Sequence, residues 1–272
     1  MTTLQNQSSV RSLTLGAVRF TYVVDGAMAF PPAGFFPAVP PEAWVPGLLD
    51  DEGMVPMSAG GLLVEIGERR VLIDAGFGPV QGRRPEGAVN CGSLLDTLAV
   101  LGHDPSTIDV VALTHLHADH VGWAGAFERH VVGALEWNSA PPPAALDNAT
   151  LVEDGDEVVP GVRAIVTPGH SPGHTSYLVT SGAVRLLAFG DAFHHPLQLS
   201  HVEWGSGPDW QGDRVPAARR RLIEEMLVPG TVGFAFHFGD QPFGRVTQAA
   251  NGTIAWNPVP STVICGPPRL LV

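Results

Sequence analysis

The sequence predicts a layered α/β protein, and three observations carry that expectation. Four apolar, strand-like runs, residues 110–113, 162–166, 184–189 and 231–236, each end in a side chain able to ligate a metal: His115, His170, Asp191 and His237. The C-terminal ends of strands are where layered α/β proteins gather functional groups. Residues 93–101 and 215–227 read as helices. A hydrophobic content of 44% against 15% charged residues suits a well-buried enzyme rather than a disordered chain.

At 272 residues the chain fits one domain, 1–272, with long insertions. Residues 1–12 read as a loose tail, and 18–24 as a first strand. Residues 27–59 hold seven prolines together with Phe30, Phe35, Phe36 and Trp44. No helix or sheet pattern is expected to survive that density of proline. So long an irregular segment is usually a lid, a binding loop or a linker. Its apolar content makes it an ordered loop that covers a site, meets a partner subunit or wraps a sheet. Residues 61–66 and 70–73 form a hairpin, and 118–127 a short helix. Residues 151–180 are strand-rich. Residues 196–213, with Trp204 and Trp210, form a second irregular stretch. Helix 215–227 carries Arg219-Arg220-Arg221, read as a solvated face, and 248–256 turn through Asn251-Gly252 as a β-hairpin.

The most informative stretch is His115-Leu116-His117-Ala118-Asp119-His120, which follows the apolar run directly. A buried strand that ends in so many polar groups is costly unless something compensates them, and a cation is the simplest compensation. His115 and His117, two apart on extended chain, point to one side. Asp119 and His120 can reach a second position on the following turn, so one segment can feed two neighbouring metals. His103, His130 and His201 have no such company and read as surface histidines.

The order H-x-H-x-D-H, lone His, lone Asp, lone His resembles the metallo-β-lactamase superfamily of hydrolases. Asp74, in Val71-Leu72-Ile73-Asp74-Ala75-Gly76, resembles its first motif, an aspartate behind the metal histidines. The resemblance covers about residues 58–240. It implies a four-layer αβ/βα sandwich of two mixed β-sheets flanked by helices, with metals at one edge. It also implies that His115, His117 and His170 hold one metal, that Asp119, His120 and His237 hold the other, and that Asp191 bridges them.

These donors are nitrogen and oxygen only, which suits zinc first, with manganese, iron or cobalt as alternatives. Two divalent cations, two carboxylates and one hydroxide sum to about +1, a centre able to keep hydroxide at neutral pH. The expected chemistry is attack by a metal-bridging hydroxide on a lactone, carboxyl ester or phosphotriester, with Asp191 able to shuttle the proton. Gly169-His170-Ser171-Pro172-Gly173 matches the nucleophile elbow G-x-S-x-G, but Pro172 has no N–H to give an oxyanion hole. Ser171 is therefore expected to shape the turn that aims His170. His174 is expected to hydrogen-bond behind the ligands. His194 stands where quorum-quenching lactonases of the superfamily carry a tyrosine, and G-D-x-x-H resembles the methyl parathion hydrolase branch. His194 is thus a candidate to protonate the leaving group. Phe30, Phe35, Phe36, Phe193, Trp204 and Trp210 are candidates for an apolar substrate pocket.

Two other activities fit parts of the pattern. His115, His170 and Asp191 also spell the two-His, one-carboxylate triad of mononuclear iron oxidoreductases, such as persulfide dioxygenases. A glyoxalase II-like thioesterase is the other alternative. The net charge of −12 argues against nucleic acid as the main partner. Cys91 and Cys265 make no disulfide framework. No secretory signal and no apolar run of roughly eighteen residues is present, so a cytoplasmic protein without membrane contact is expected. A small hydrophobic ester or lactone is the expected substrate, and a second copy of the chain a candidate partner.

Overall fold

Strands that are apolar on both faces need cover on both sides. In β4 (Arg69–Ile73), Val71 and Ile73 face one apolar cluster while Leu72 faces another. The same period of two places Phe20, Tyr22 and Val24 of β2 (Val18–Phe30) on the first cluster and Val23 on the second. A computed structural model describes residues 2–139 and 141–267, and it satisfies both faces with two mixed sheets and helices outside them.

The first sheet also holds β1 (Val10–Leu15), β3 (Val55–Ile66), β5 (Gln81–Arg84), β6 (Gly87–Cys91), β7 (Val110–Ala112), β8 (His130–Gly133), β9 (Thr150–Val152) and β17 (Thr262–Cys265). Its order is β17-β1-β2-β3-β4-β7-β8-β9, with β6 pairing β2 and β5 pairing β6. The second sheet runs in sequence order: β10 (Glu157–Val159), β11 (Val162–Val166), β12 (Thr175–Ser181), β13 (Val184–Ala188), β14 (Val232–Phe234), β15 (Phe243–Gln248) and β16 (Ile254–Pro258). The central core lies between the sheets, where Phe20, Tyr22, Leu62 and Val64 meet Tyr177, Leu186, Phe234 and Phe236. Two tyrosines tie the layers: Tyr22 donates to the Phe236 carbonyl at 3.0 Å and Tyr177 to that of Leu113 at 2.8 Å. Helix Leu94–Val100 buries Leu94 and Leu98 on the outer face of the first sheet. Helix Val215–Leu227 buries Leu222, Ile223 and Met226 on that of the second.

This topology gathers the candidate ligands. β11 and β13 are both antiparallel to β12, and β14 is parallel to β13, so three strands end at one edge. The parallel pair β4–β7 brings Asp74 and the H-x-H-x-D-H turn together on the facing sheet. Among the described residues no helix is long and apolar enough to cross a membrane.

Several expectations are corrected. The stretch 1–12 is not a loose tail: Ser8, Ser9 and Val10 are buried, β1 begins at Val10, and Ser9 N–H donates to Asp240 at 3.0 Å. Arg11 forms a buried ion pair with Asp240. The irregular segment is also shorter than 27–59, because Ala27–Phe30 and Val55–Ala59 pair in β2–β3 register. Pro56 is tolerated because β4 pairs only with residues 62–66 of β3, leaving this end of the strand a free edge. Residues 118–127 split into a helix Ala118–Val121 and a 3-10 turn Ala124–Ala126. Arg219 is fully buried rather than part of a solvated face. His130 is buried as well, its Nε2 bonding the Ala124 carbonyl at 2.8 Å.

Candidate metal centre

The turn after β7 is held from behind by Asp74. This residue sits in the left-handed region at φ 63°, a conformation Asp tolerates better than most L-residues. Its Oδ1 accepts the Thr114 N–H at 2.7 Å, and Oδ2 accepts the Thr114 hydroxyl at 2.8 Å. Oδ2 also lies 2.8 Å from His120 Nδ1. Because Thr114 gives its proton to Asp74, its oxygen is free to accept from His115 Nδ1 at 3.0 Å. His237 Nδ1 donates to the Ser58 carbonyl at 3.0 Å. Each of these three rings therefore carries its proton on Nδ1 and turns an Nε2 lone pair inward.

What the lone pairs face is the strongest local signal. His115 Nε2, His120 Nε2, His237 Nε2 and Asp191 Oδ1 are all buried and have no hydrogen-bond partner. Buried polar atoms are rarely left so. Donor atoms of His115, His117, His170 and Asp191 lie within 4.8 Å of one another, as do those of Asp119, His120, Asp191 and His237. Asp191 divides its oxygens between the two groups. Oδ1 lies 3.3 Å from His120 Nε2 and 3.0 Å from His237 Nε2, while Oδ2 lies 3.4 Å from His170 Nε2 and 3.8 Å from His115 Nε2. Imidazole and carboxylate donors converging with unmet lone pairs fit two divalent cations.

Asp191 is placed by close packing. Gly190 adopts φ 54°, and a Cβ there would come within 2.5 Å of His174 Nε2. His174 donates from Nδ1 to Thr167 Oγ1 at 2.8 Å and accepts the Asp191 N–H on Nε2 at 3.0 Å. Both nitrogens are committed, so it orients rather than ligates, and burial pushes its pKa down to about 3. The His170 turn is fastened by Glu136, which accepts Ser171 Oγ and Gly173 N–H, both at 2.8 Å, and the Leu116 N–H at 3.1 Å. Gly173 packs so tightly there that a Cβ would fall 1.9 Å from Glu136 N.

The charges are strongly coupled. Burial alone would raise the Asp191 carboxyl, but His120, His237 and His194 hold it well below the usual range. Burial, and then the charge of His120, hold His115 well below a normal imidazole. Against its burial, Asp191, Asp119 and Asp74 raise His120 well above normal, a demand for positive charge that a bound cation would meet in place of a proton on Nε2.

A cavity of about 170 Å³ opens beside the cluster, lined by Met28, Phe30, Phe35, Met57, Phe77 and Pro208 with His117, Asp119, Asp191, His194 and His237. His194 Nε2 sits 3.1 Å from Asp191 Oδ2, and its Nδ1 3.3 Å from Ser206 Oγ. Of the expected wall residues, Phe30 and Phe35 line the cavity. Phe36 lies behind them against Trp44 and His195. Phe193 is core beneath Arg219, Trp204 stacks on His201, and Trp210 is 58% exposed. None of these four reaches the cavity, because proximity in sequence to a loop does not fix which way a ring turns. The sequence reading missed Met28, Met57 and Phe77, whose signal was two apolar positions inside a hidden strand pair and one after the Asp74 turn. It also missed Glu136 and Asp25. The latter accepts N–H bonds from Phe77, Gly78 and Leu94 and from the Trp123 indole, fixing the Phe77 turn.

Residues 61–240 match the metallo-beta-lactamase superfamily. N-acyl homoserine lactonase AiiA of Bacillus thuringiensis subsp. kurstaki is 31% identical over 157 residues, 46% of this chain and 60% of that protein. A hydroxyacylglutathione hydrolase of Photobacterium profundum is 37% identical over 98 residues, 33% of this chain and 36% of that one. The chain thus spans about 60% of the length of the curated lactonases it matches. Among solved structures, AidC, a dizinc quorum-quenching lactonase bound to its product, superposes with a TM-score of 0.78 at 20% identity, covering 94% of this chain and 99% of that one. The hydrolase AbOPH superposes at 0.76 with 22% identity, covering 93% and 98%. At such identities these two likenesses concern the fold alone.

Proposed function

The chain belongs to the metallo-beta-lactamase superfamily, and from that membership we propose that it is a dinuclear metal-dependent hydrolase of a small, uncharged, apolar lactone or ester. The observation that carries the reading is the division of Asp191, one oxygen toward each histidine group, with buried unmet donors on both sides. His115, His117 and His170 would hold one cation, Asp119, His120 and His237 the other, and zinc would be the first choice for both. When bound there, two such cations would supply Lewis acidity toward a scissile carbonyl and toward water.

The chain's own residues do the rest. Met28, Phe30, Phe35, Met57 and Phe77 exclude water from the reacting carbonyl and grip an apolar acyl group. No Lys or Arg is among the described lining residues, which speaks against the carboxylates of a glutathione thioester. His194 is neutral, burial pulling its pKa to about 4. Its Nε2 stands against Asp191 Oδ2 at the cavity wall, placed to take the proton that the attacking hydroxide gives up to Asp191 and pass it to a departing alkoxide, ending neutral again. The free thiols of Cys91 and Cys265 support a reducing, cytoplasmic setting.

The test is elemental analysis followed by a panel of lactone, aryl ester and phosphotriester. About two zincs per chain, with hydrolysis lost to a chelator and restored by zinc, is the expected result. One iron per chain and no hydrolysis would turn the reading toward an oxidoreductase.

Two variants probe the mechanism. Ser171 donates its hydroxyl proton to the Glu136 carboxylate, a structural bond, so Ser171→Ala should leave kcat/KM within about twofold and reduce stability by about 1–2 kcal/mol. Near-complete loss of activity with both metals bound would restore a serine nucleophile. His194→Ala should slow an aliphatic lactone by about 10²-fold and a nitrophenyl ester far less, because only the alkoxide needs a proton. Equal losses on the two, at constant metal content, would reduce His194 to a structural role.

A further inference from the structure

Among the described residues, four of the five histidine candidates, His115, His120, His170 and His237, have their outward nitrogen engaged, and one of those partners lies in a stretch that carries no motif. His170 Nδ1 bonds Asp209 Oδ1 at 2.9 Å. Asp209 belongs to the irregular segment that leads into helix Val215–Leu227. Its side chain is only 4% exposed. Its second oxygen accepts the Ser206 N–H at 2.7 Å and lies 3.9 Å from Arg219 Nη2.

The same segment grips the His170 loop through its backbone. Trp210 N–H donates to the His170 carbonyl at 3.0 Å, and Gln211 N–H to that of Gly169 at 2.9 Å. At its other end Gly207 N–H donates to the Phe35 carbonyl at 2.7 Å. The segment is therefore docked at both ends, on a metal-facing turn and on the cavity wall.

We propose that Asp209 is a positioning residue for His170, fixing its proton on Nδ1 and aiming Nε2 at the cluster, with residues 206–211 acting as the strap that holds it. The inference rests on the dinuclear reading and deepens it. A carboxylate behind a ligating imidazole fixes the tautomer and raises the basicity of the inward nitrogen. Glu136 differs: it fastens the same turn through Ser171 and Gly173 and touches no ligand ring. Asp209 acts on one cation group only, because among the described residues the ligand candidate it bonds is His170.

The experiment is competition of zinc-loaded protein with a chromophoric chelator, for wild type, Asp209→Ala and Asp209→Asn, with near-ultraviolet circular dichroism as a check on folding. Asp209→Ala should weaken one of two zincs by about 10- to 100-fold and leave the other at wild-type affinity. Asn can still accept from His170, so Asp209→Asn should lose about three- to tenfold at that same site. Two zincs retained at wild-type affinity in Asp209→Ala overturns the proposal, as does equal weakening of both. If Asp209→Ala does not fold, Asp209→Asn decides alone: selective weakening supports the role and unchanged affinity overturns it. A wild-type chain that holds no zinc overturns the dinuclear reading itself, so the two failures appear in different samples.

Discussion

Asp191→Asn is expected to keep the fold, drop the metal content from about two ions per chain to about one, and lower kcat/KM by about 10³-fold or more, roughly 4 kcal/mol of transition-state stabilisation. The carboxylate is the only described group whose two oxygens face both histidine sets, at 3.0–3.3 Å on one side and 3.4–3.8 Å on the other. Asparagine is nearly isosteric but neutral. Whichever way its amide turns, an NH₂ donor meets lone pairs that need a cation. The turn itself survives, because His174 holds position 191 through the backbone N–H. Metal analysis beside steady-state kinetics checks this, and two retained ions with near-normal turnover would remove the bridging role.

The largest loss of stability is expected from Arg219→Met, about 3–5 kcal/mol. The guanidinium is fully buried and stands 5.5 Å over the Phe193 ring. Nε donates to the Ala192 carbonyl at 2.7 Å, and Nη1 to those of Val202 and Trp204 at 2.9 and 2.7 Å. Methionine fills the volume but leaves the Ala192 and Val202 carbonyls without their donor, the Trp204 carbonyl with the Gln198 amide alone, and Asp209 without its cation. Urea unfolding should show the midpoint fall with the slope unchanged. A loss under 1 kcal/mol would mean that water replaces the guanidinium.

These two residues also mark the limit of legibility. Asp191 could be read because it ends an apolar strand and belongs to a spaced set whose members all share that position. His115, His117, Asp119 and His120 were legible for a local reason, since two apart on extended chain fixes a common side. Arg219 looked identical to Arg220 and Arg221, and only the packing of helix Val215–Leu227 against the 192–204 backbone separates them. Asp209 and Glu136 are lone carboxylates whose partners lie 39 and 35 residues away in the chain. Spacing carries no trace of such pairs. Proline density overstated the irregular region because it cannot tell a free strand edge from a loop, and β1 was lost because its pairing partners lie at 18–22 and 262–265.

The donors come from two different sheets: His115, His117, Asp119 and His120 follow β7 of the first, and His170, Asp191 and His237 follow β11, β13 and β14 of the second. Neither half can hold an ion with a full set of ligands until the layers have docked. Bound metal is then a late rivet rather than a nucleus, and its free energy enters after the folding barrier. Removing it should leave the refolding rate nearly unchanged and speed unfolding by the whole of the lost stability. Chevrons recorded with and without chelator read this directly, and a shift confined to the refolding arm would mean that the ions are captured before the halves meet.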